Sequence, residues 1–505
     1  MPQTLSRRHF LRRLGIATGA VASMSLLHRT RAADGPQQKR HVLILGAGLA
    51  GLCAAYELER KGHAVTILEA ERAHIGGRVR TLRFENGQYG EAGAMRVPAV
   101  HAITRHYLAE LKLPLRKFVQ SNPEAYYFLR GRRARIKDVR SLYDLYKLTP
   151  EEAKQHPDDW WAKAVTAHVT GLSADEKDQL AGKAPFADKL RALDRKSLGD
   201  LITDTRLSPD AAELLALTAG QEMELSTGAT ETLREELLDF WSKGFDEIVG
   251  GTDKFTAAFA GQLKSKPRTG CEVRTIWQDG ARKKAGVLYR ENGVDQTAEA
   301  DLVICTIPLP VLSRLQLDPA FSAAKMRAIR QLNYDAATKV LAVCERRFWE
   351  SDDQIFGGGS YTDLPIGTAY YPSDNAEKRE PAVSAGPGVM LASYCWGQGA
   401  RRLGALDPNV MHDVTRRHLA RVHPQLADPK TARHWASWSW DTHANTGGAF
   451  AWFLPGQHDA LHSALCQPEG RITLAGEHAS LAHTWMQGAL ESALNAVEWV
   501  NRVEV

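Results

Sequence analysis

Three glycines stand where a phosphate could be held. Gly46, Gly48 and Gly51 form G-x-G-x-x-G directly after the apolar run His41-Val-Leu-Ile-Leu45. Helically spaced apolar residues follow, from Leu52 to Arg60. Gly46 permits the tight turn, Gly48 lets a pyrophosphate reach the backbone at a helix N-terminus, and Gly51 lets the helix pack close to the strand. A second strand, Ala64-Val-Thr-Ile-Leu68, ends at Glu69, 18 residues past Gly51 and placed to accept hydrogen bonds from ribose hydroxyls. Strand, glycines, helix, strand and acid in register specify a dinucleotide site, nicotinamide or flavin.

The following residues discriminate between the two. Ile75-Gly76-Gly77-Arg78-Val79-Arg80-Thr81 resembles the G-G-R-x-x-T signature of flavin-dependent amine oxidases. Physically it is a glycine turn passing near phosphates, with Arg78 neutralising them. From about residue 40 onward the chain resembles the flavin amine oxidase superfamily, and the L-amino-acid oxidase branch fits best. The matching segments, in family order, are Gly90–Pro98 (with G-A-M-R-x-P), Phe245–Val249 before Gly251-Thr-Asp-Lys254, Thr306–Pro310, Ala337-Thr-Lys339, Tyr361–Pro365 with Tyr370–Pro372, Leu391–Trp396, Leu474–His478 and Thr484–Gly488.

The resemblance implies non-covalent FAD and a set of residue roles. Arg96, the Arg of G-A-M-R, holds the substrate carboxylate, for which a planar guanidinium suits two parallel hydrogen bonds. Tyr394 adds its hydroxyl to that carboxylate, and Trp396 walls the side-chain pocket. Lys339 lies in the apolar segment Ala336–Val343, where a Lys is costly without a partner. The matching Lys reaches flavin N5 through a water and aids the reaction with oxygen. Glu477 accepts bonds from the ribityl or pyrophosphate region, and Trp485 and Met486 lie beside the flavin ring. Met95, Arg96, Gly77 and Val273 complete the cofactor contacts. Phe450 and Trp485 form an aromatic pair flanking the substrate, a role compatible with core packing. Ala449 occupies the position where monoamine oxidases carry the Cys bonded to flavin.

One position departs from the family. Where some animal members carry a His, ten residues before the F-D-E-I-V segment, this chain has Glu235. Either solvent or another group deprotonates the amine, or Glu235 helps to select a cationic side chain. The implied reaction is oxidative deamination of an L-amino acid by molecular oxygen, giving a 2-oxo acid, ammonia and hydrogen peroxide. The rivals are an amino-acid 2-monooxygenase, which releases an amide and carbon dioxide, and a monoamine or polyamine oxidase, whose substrates have no carboxylate for Arg96. A flavin-binding scaffold would have no use for Lys339, Arg96 and Tyr394. No metal site or nucleophilic triad has convincing spacing.

The elements that must position these residues define an α/β fold of the two-domain, glutathione-reductase-like kind. A Rossmann-like FAD-binding domain is expected from residues 39–95, 245–335 and 468–505. An antiparallel-sheet substrate domain is expected from 96–140 and 336–467, and a helical subdomain from 141–244. In that last stretch Thr149, Ser173 and Ser208 each precede Pro or acidic residues and mark helix starts.

Charge is concentrated at one end. The chain carries 64 basic and 59 acidic residues, but residues 1–32 hold six arginines and no acid, leaving 58 against 59 in the body. Such a body has no electrostatic footprint for nucleic acid. Ser6-Arg7-Arg8-His9-Phe10-Leu11, the short apolar run Leu14–Leu27 and a small-residue cut site at Ala32 read as an export signal and resemble the twin-arginine address. They imply the twin-arginine machinery as a partner and a periplasmic or secreted protein. Fourteen apolar-rich residues are too few for a membrane span, which needs about 20. A homodimer is compatible with the sequence. The six cysteines form no C-x-x-C and read as buried thiols, with no disulfide required.

Overall fold

The computed structural model describes residues 25–27, 30–31 and 38–504. The twin-arginine hexapeptide Ser6–Leu11 lies outside the described residues. β1 (His41–Leu45), α1 (Leu49–Arg60) and β2 (Ala64–Glu69) form the opening unit. They belong to a five-stranded parallel sheet in the order Arg268–Thr269, β2, β1, Leu302–Cys305, Ile472–Leu474. Three distant stretches of chain thus complete one sheet. β1 reads as a continuous apolar run because both of its faces are covered: Val42, Leu43, Ile44 and Leu45 are fully buried.

Residues 157–237 are helical. Their short helices end in α2 (Ala229–Leu237) and enclose a separate core around Trp160, Leu198, Leu201 and Leu214. The starts read from the sequence are capped as their chemistry dictates. Ser173 accepts from the Glu176 amide while Glu176 caps back, Ser208 accepts from Ala211, and Thr149 and Glu152 exchange the same pair of bonds on a 3-10 turn. Ser197 with Asp200 makes a further capping box at Leu198–Asp204.

The third layer is a seven-stranded sheet. At its centre β3 (Ala337–Cys344) pairs antiparallel with β4 (Gly388–Trp396), and strand Ala432–Ser439 flanks β3. The sheet is not wholly antiparallel, because Gly358–Thr362 runs parallel to Tyr126–Leu129. The register sets Lys339 opposite Tyr394 and Ala337 opposite Trp396. A small three-stranded sheet joins Val97–Pro98 and Leu115–Phe118 through Phe245–Ile248. The closing helix α3 (Met486–Arg502) returns to pack on α1.

Part of the leading segment also rests on this body. Leu26 and Leu27 are buried in the core that holds α1, and Arg31 donates to the buried carboxylate of Glu57 at 2.6 Å and to Glu110 at 2.9 Å. A cut after Ala32 would leave Glu57 with the Tyr107 hydroxyl, 2.7 Å away. No described helix is long and apolar enough to cross a membrane. All six cysteines are free, five of them buried.

Close packing of β1 on α1 leaves no room at Gly51, where a Cβ would stand 2.1 Å from the Gly46 carbonyl oxygen. Gly51→Ala is therefore expected to destabilise the protein by about 1–3 kcal/mol, read as a lower unfolding midpoint; an unshifted midpoint would contradict this packing.

Candidate active site

A cavity of about 470 Å³ opens above the carboxyl ends of β1 and β2, the edge at which open α/β sheets take ligands. Gly46, Gly48, Glu69, Gly77 and Arg78 form one wall, with Val273 beside them. Gly46 turns the chain at φ +102°, a conformation that disfavours a side chain. At Gly48 a Cβ would meet protein no closer than 4.0 Å, so bare backbone faces the cavity at the N-terminus of α1. Glu69 takes the Ala47 amide at 2.7 Å and the Glu71 amide at 2.8 Å. Its remaining lone pairs are free for hydroxyl donors, and burial raises its pKa. Gly51 lies beneath this wall and serves packing. Glycine turn, helix N-terminus and terminal carboxylate fit the dinucleotide half of FAD.

The far wall departs in part from the sequence reading. Arg78 donates to the Glu477 carboxylate at 2.7 Å and to the Ala449 carbonyl at 3.1 Å. Its charge is already matched, so it is a clamp between distant segments rather than a free phosphate ligand. Glu477 also accepts from the Ala451 amide at 2.9 Å and the Thr484 amide at 3.1 Å. Despite burial, Arg78 and these donors hold it below the usual carboxylate range. Glu477 thus fixes the two loops that present Phe450 and Trp485, and all of these residues line the cavity together with Met486. Phe450 and Trp485 are not in ring contact. Phe450 meets Trp452 edge-on, whereas Trp485 packs with His101, Phe240, Trp241 and Phe245.

Lys339 reaches the same cavity from β3. Its ammonium donates to the carbonyls of Gly93 at 2.6 Å and Glu91 at 3.2 Å, meets the Met95 sulfur at 3.5 Å, and lies 4.5 Å from the centre of the Tyr394 ring. Burial pushes its pKa down and that of the facing Glu91 up. Met95 therefore faces Lys339 and is not on the cavity wall, a correction to its expected cofactor contact. Tyr394 is both on the wall and edge-on to Trp396 at 4.9 Å.

Arg96 stands behind that wall. It is 8% exposed and donates to the Gln120 side-chain oxygen at 2.5 Å. Gln120 in turn donates to the Tyr370 hydroxyl at 3.0 Å. The rings of Trp241, Phe245, Tyr370 and Trp485 surround the guanidinium at 5.0 to 6.0 Å. Among the described residues no carboxylate comes within ion-pairing distance of Arg96, and Glu224 and Glu235 interact with it only at longer range. It does not line the cavity, where its expected cofactor contact would lie. Glu235 belongs to the surroundings of Arg96 as well. Trp485 and Trp241 donate to its two oxygens at 2.7 and 2.6 Å, and burial pushes its carboxyl up to about 7. Gln120 and Trp241 carry no local spacing that marks them in the sequence, whereas Tyr370 lies in the matching segment Tyr370–Pro372 without a role implied for it. No cluster of potential metal ligands occurs among the described residues.

Comparison with known proteins agrees with this geometry. The chain is 33% identical to the L-amino-acid oxidase of Vipera ammodytes ammodytes over 92% of its length and 93% of that protein. It is 32% identical to YobN of Bacillus subtilis (strain 168), which bears the name L-amino-acid oxidase provisionally, over 92% and 96%. In fold it is similar to a wild-type putrescine oxidase bound to putrescine, with a TM-score of 0.71 at 21% identity over 92% of this chain and 99% of that one. Cyclohexylamine oxidase from Brevibacterium oxydans IH-35A gives 0.70 at 18% over 92% and 99%. The family model for flavin containing amine oxidoreductases matches residues 49–501. The chain belongs to that family, and its cofactor is FAD.

Proposed function

We propose that the protein oxidises the α-carbon of an L-amino acid, consuming oxygen and water and releasing a 2-oxo acid, ammonia and hydrogen peroxide. The observation that carries this reading is Arg96: a buried guanidinium that pairs directly with no carboxylate among the described residues, 6.0 Å from the ring of Trp485, which with Tyr394 lines the cofactor cavity. A buried cation left without a counter-charge is costly. The carboxylate of an amino acid removes that cost, and an amine without one does not. Names borne by relatives over nearly the whole chain support the same substrate class.

Bound FAD supplies the acceptor for the α-hydride and the reaction with oxygen. The chain's own residues orient and shield. Arg96, held in plane by Gln120, receives the carboxylate, and the Tyr394 hydroxyl contributes a further donor from the adjacent strand. The Trp485 indole, fixed by Glu235, closes one side, and Phe450 closes another. Lys339, anchored by the carbonyls of Glu91 and Gly93 and with its pKa pushed down to about 7 by burial, can hold or release a proton at the cavity wall. The S-R-R-x-F-L segment supports export of the folded, cofactor-loaded protein, which N-terminal sequencing of the periplasmic fraction tests.

Arg96→Met is expected to lower kcat/KM for every L-amino acid about 10- to 100-fold, because a charged hydrogen-bonding pair contributes about 1.5–3 kcal/mol. Peroxide assays check this, and an unchanged value would remove the carboxylate assignment. Detection of an amide and carbon dioxide instead of peroxide and a 2-oxo acid would establish the monooxygenase outcome. Lys339→Met is expected to slow the oxygen half-reaction about 100-fold while affecting anaerobic reduction far less. Stopped-flow absorbance separates the two halves, and equal slowing would make Lys339 structural.

A further inference from the structure

One buried carboxyl in this region has no partner. Glu224 is 6% exposed in the short turn Glu222–Glu224, and among the described residues no group donates a hydrogen bond to its side chain and no cation forms an ion pair with it. The turn is docked firmly. The Met223 carbonyl lies 3.0 Å from where a Cβ on Gly397 would stand, and the Met223 methyl lies 3.1 Å from one on Gly399. Glu224 is therefore set against the end of β4 that carries Tyr394 and Trp396, within electrostatic range of Tyr394, Arg96, Glu235 and Asp335.

The neighbouring acids are already matched. Asp335 faces Arg401 at 3.5 Å, and Glu231 is held by Arg234 at 3.0 Å and His483 at 2.6 Å. Lys339 is turned toward the carbonyls of Glu91 and Gly93. Among the described residues the cation in electrostatic range of Glu224 is Arg96, which a substrate carboxylate would neutralise, whereas Glu235 has Arg234 as well as Arg96. With an amino acid bound, Glu224 then remains without a counter-charge. Glu235 keeps its place through two indole N–H donors, whereas Glu224 has none.

We propose that Glu224, with Glu235, forms a subsite for a cationic side chain, so that the preferred substrates are dibasic L-amino acids such as L-lysine, L-ornithine and L-arginine. This rests on the oxidation of L-amino acids proposed above. The ammonium or guanidinium at the end of such a side chain supplies the missing counter-charge to Glu224, while Arg96 takes the carboxylate at the other end. An apolar side chain would leave a buried acid facing hydrocarbon.

The test is kcat/KM of the flavin-loaded full chain for L-lysine, L-ornithine, L-arginine, L-leucine, L-phenylalanine and cadaverine. A dibasic amino acid is expected to exceed L-leucine and L-phenylalanine at least about 10-fold. Glu224→Gln is expected to reduce the dibasic value about 10- to 100-fold more than that of L-leucine, the range for a hydrogen bond to a charged group. Preference for L-leucine or L-phenylalanine, or equal losses in the variant, overturns the subsite and leaves L-amino-acid oxidation standing. Turnover confined to cadaverine overturns both. Inhibition of the wild-type protein decides the matter even where the variant fails to fold. 6-Aminohexanoate should compete at least about 10-fold more tightly than hexanoate, and equal inhibition counts against the subsite.

Discussion

A guanidinium taken out of water needs a negative charge, and among the described residues no carboxylate pairs directly with Arg96, Glu224 and Glu235 lying only in longer electrostatic range. This unmet requirement organises the region around it. Gln120 holds the group in plane, and Tyr370 holds Gln120. Four aromatic rings exclude water from it. Two of these, Trp241 and Trp485, are pinned by Glu235. Low local polarity strengthens every charge interaction, so these surroundings would favour the carboxylate binding proposed for Arg96.

The cofactor cavity and the surroundings of Arg96 are joined by side chains with contacts in both. Tyr394 lies under the Lys339 ammonium and edge-on to Trp396. Trp485 lines the cavity while its indole N–H reaches Glu235. Glu477 fastens the loop before Trp485 to Arg78 and to the backbone beside Phe450. The surfaces that would meet flavin and substrate are thus held by the same few hydrogen bonds, as preorganisation requires.

The three-part sheet supplies the rigidity beneath. β1 and β2 meet strands from residues 302–305 and 472–474, and α3 returns to α1. A strand so central has no freedom to slip, since one residue of slip reverses every side chain. The same argument applies in the larger sheet, where the register of β3 and β4 places Lys339 against Tyr394.

The sequence by itself determined what depends on short separations. The Gly46–Gly51 turn, Glu69 at the end of β2 and the caps at Ser173 and Ser208 are dictated by residues a few positions apart, so spacing alone specifies them. The motif resemblance extended this to the individual positions of Arg96, Lys339, Tyr394, Glu477 and Trp485. Only the tertiary structure decided who partners whom. It matched Arg78 to Glu477 across 399 residues, gave Arg96 to Gln120, turned Met95 toward Lys339 and set Glu235 between two indoles. It also left Glu224 buried without a donor, beside a strand 170 residues away in the chain. The reason is physical: the charge state and reach of a side chain are fixed by desolvation and by neighbours from other elements, and no local pattern in the chain records them.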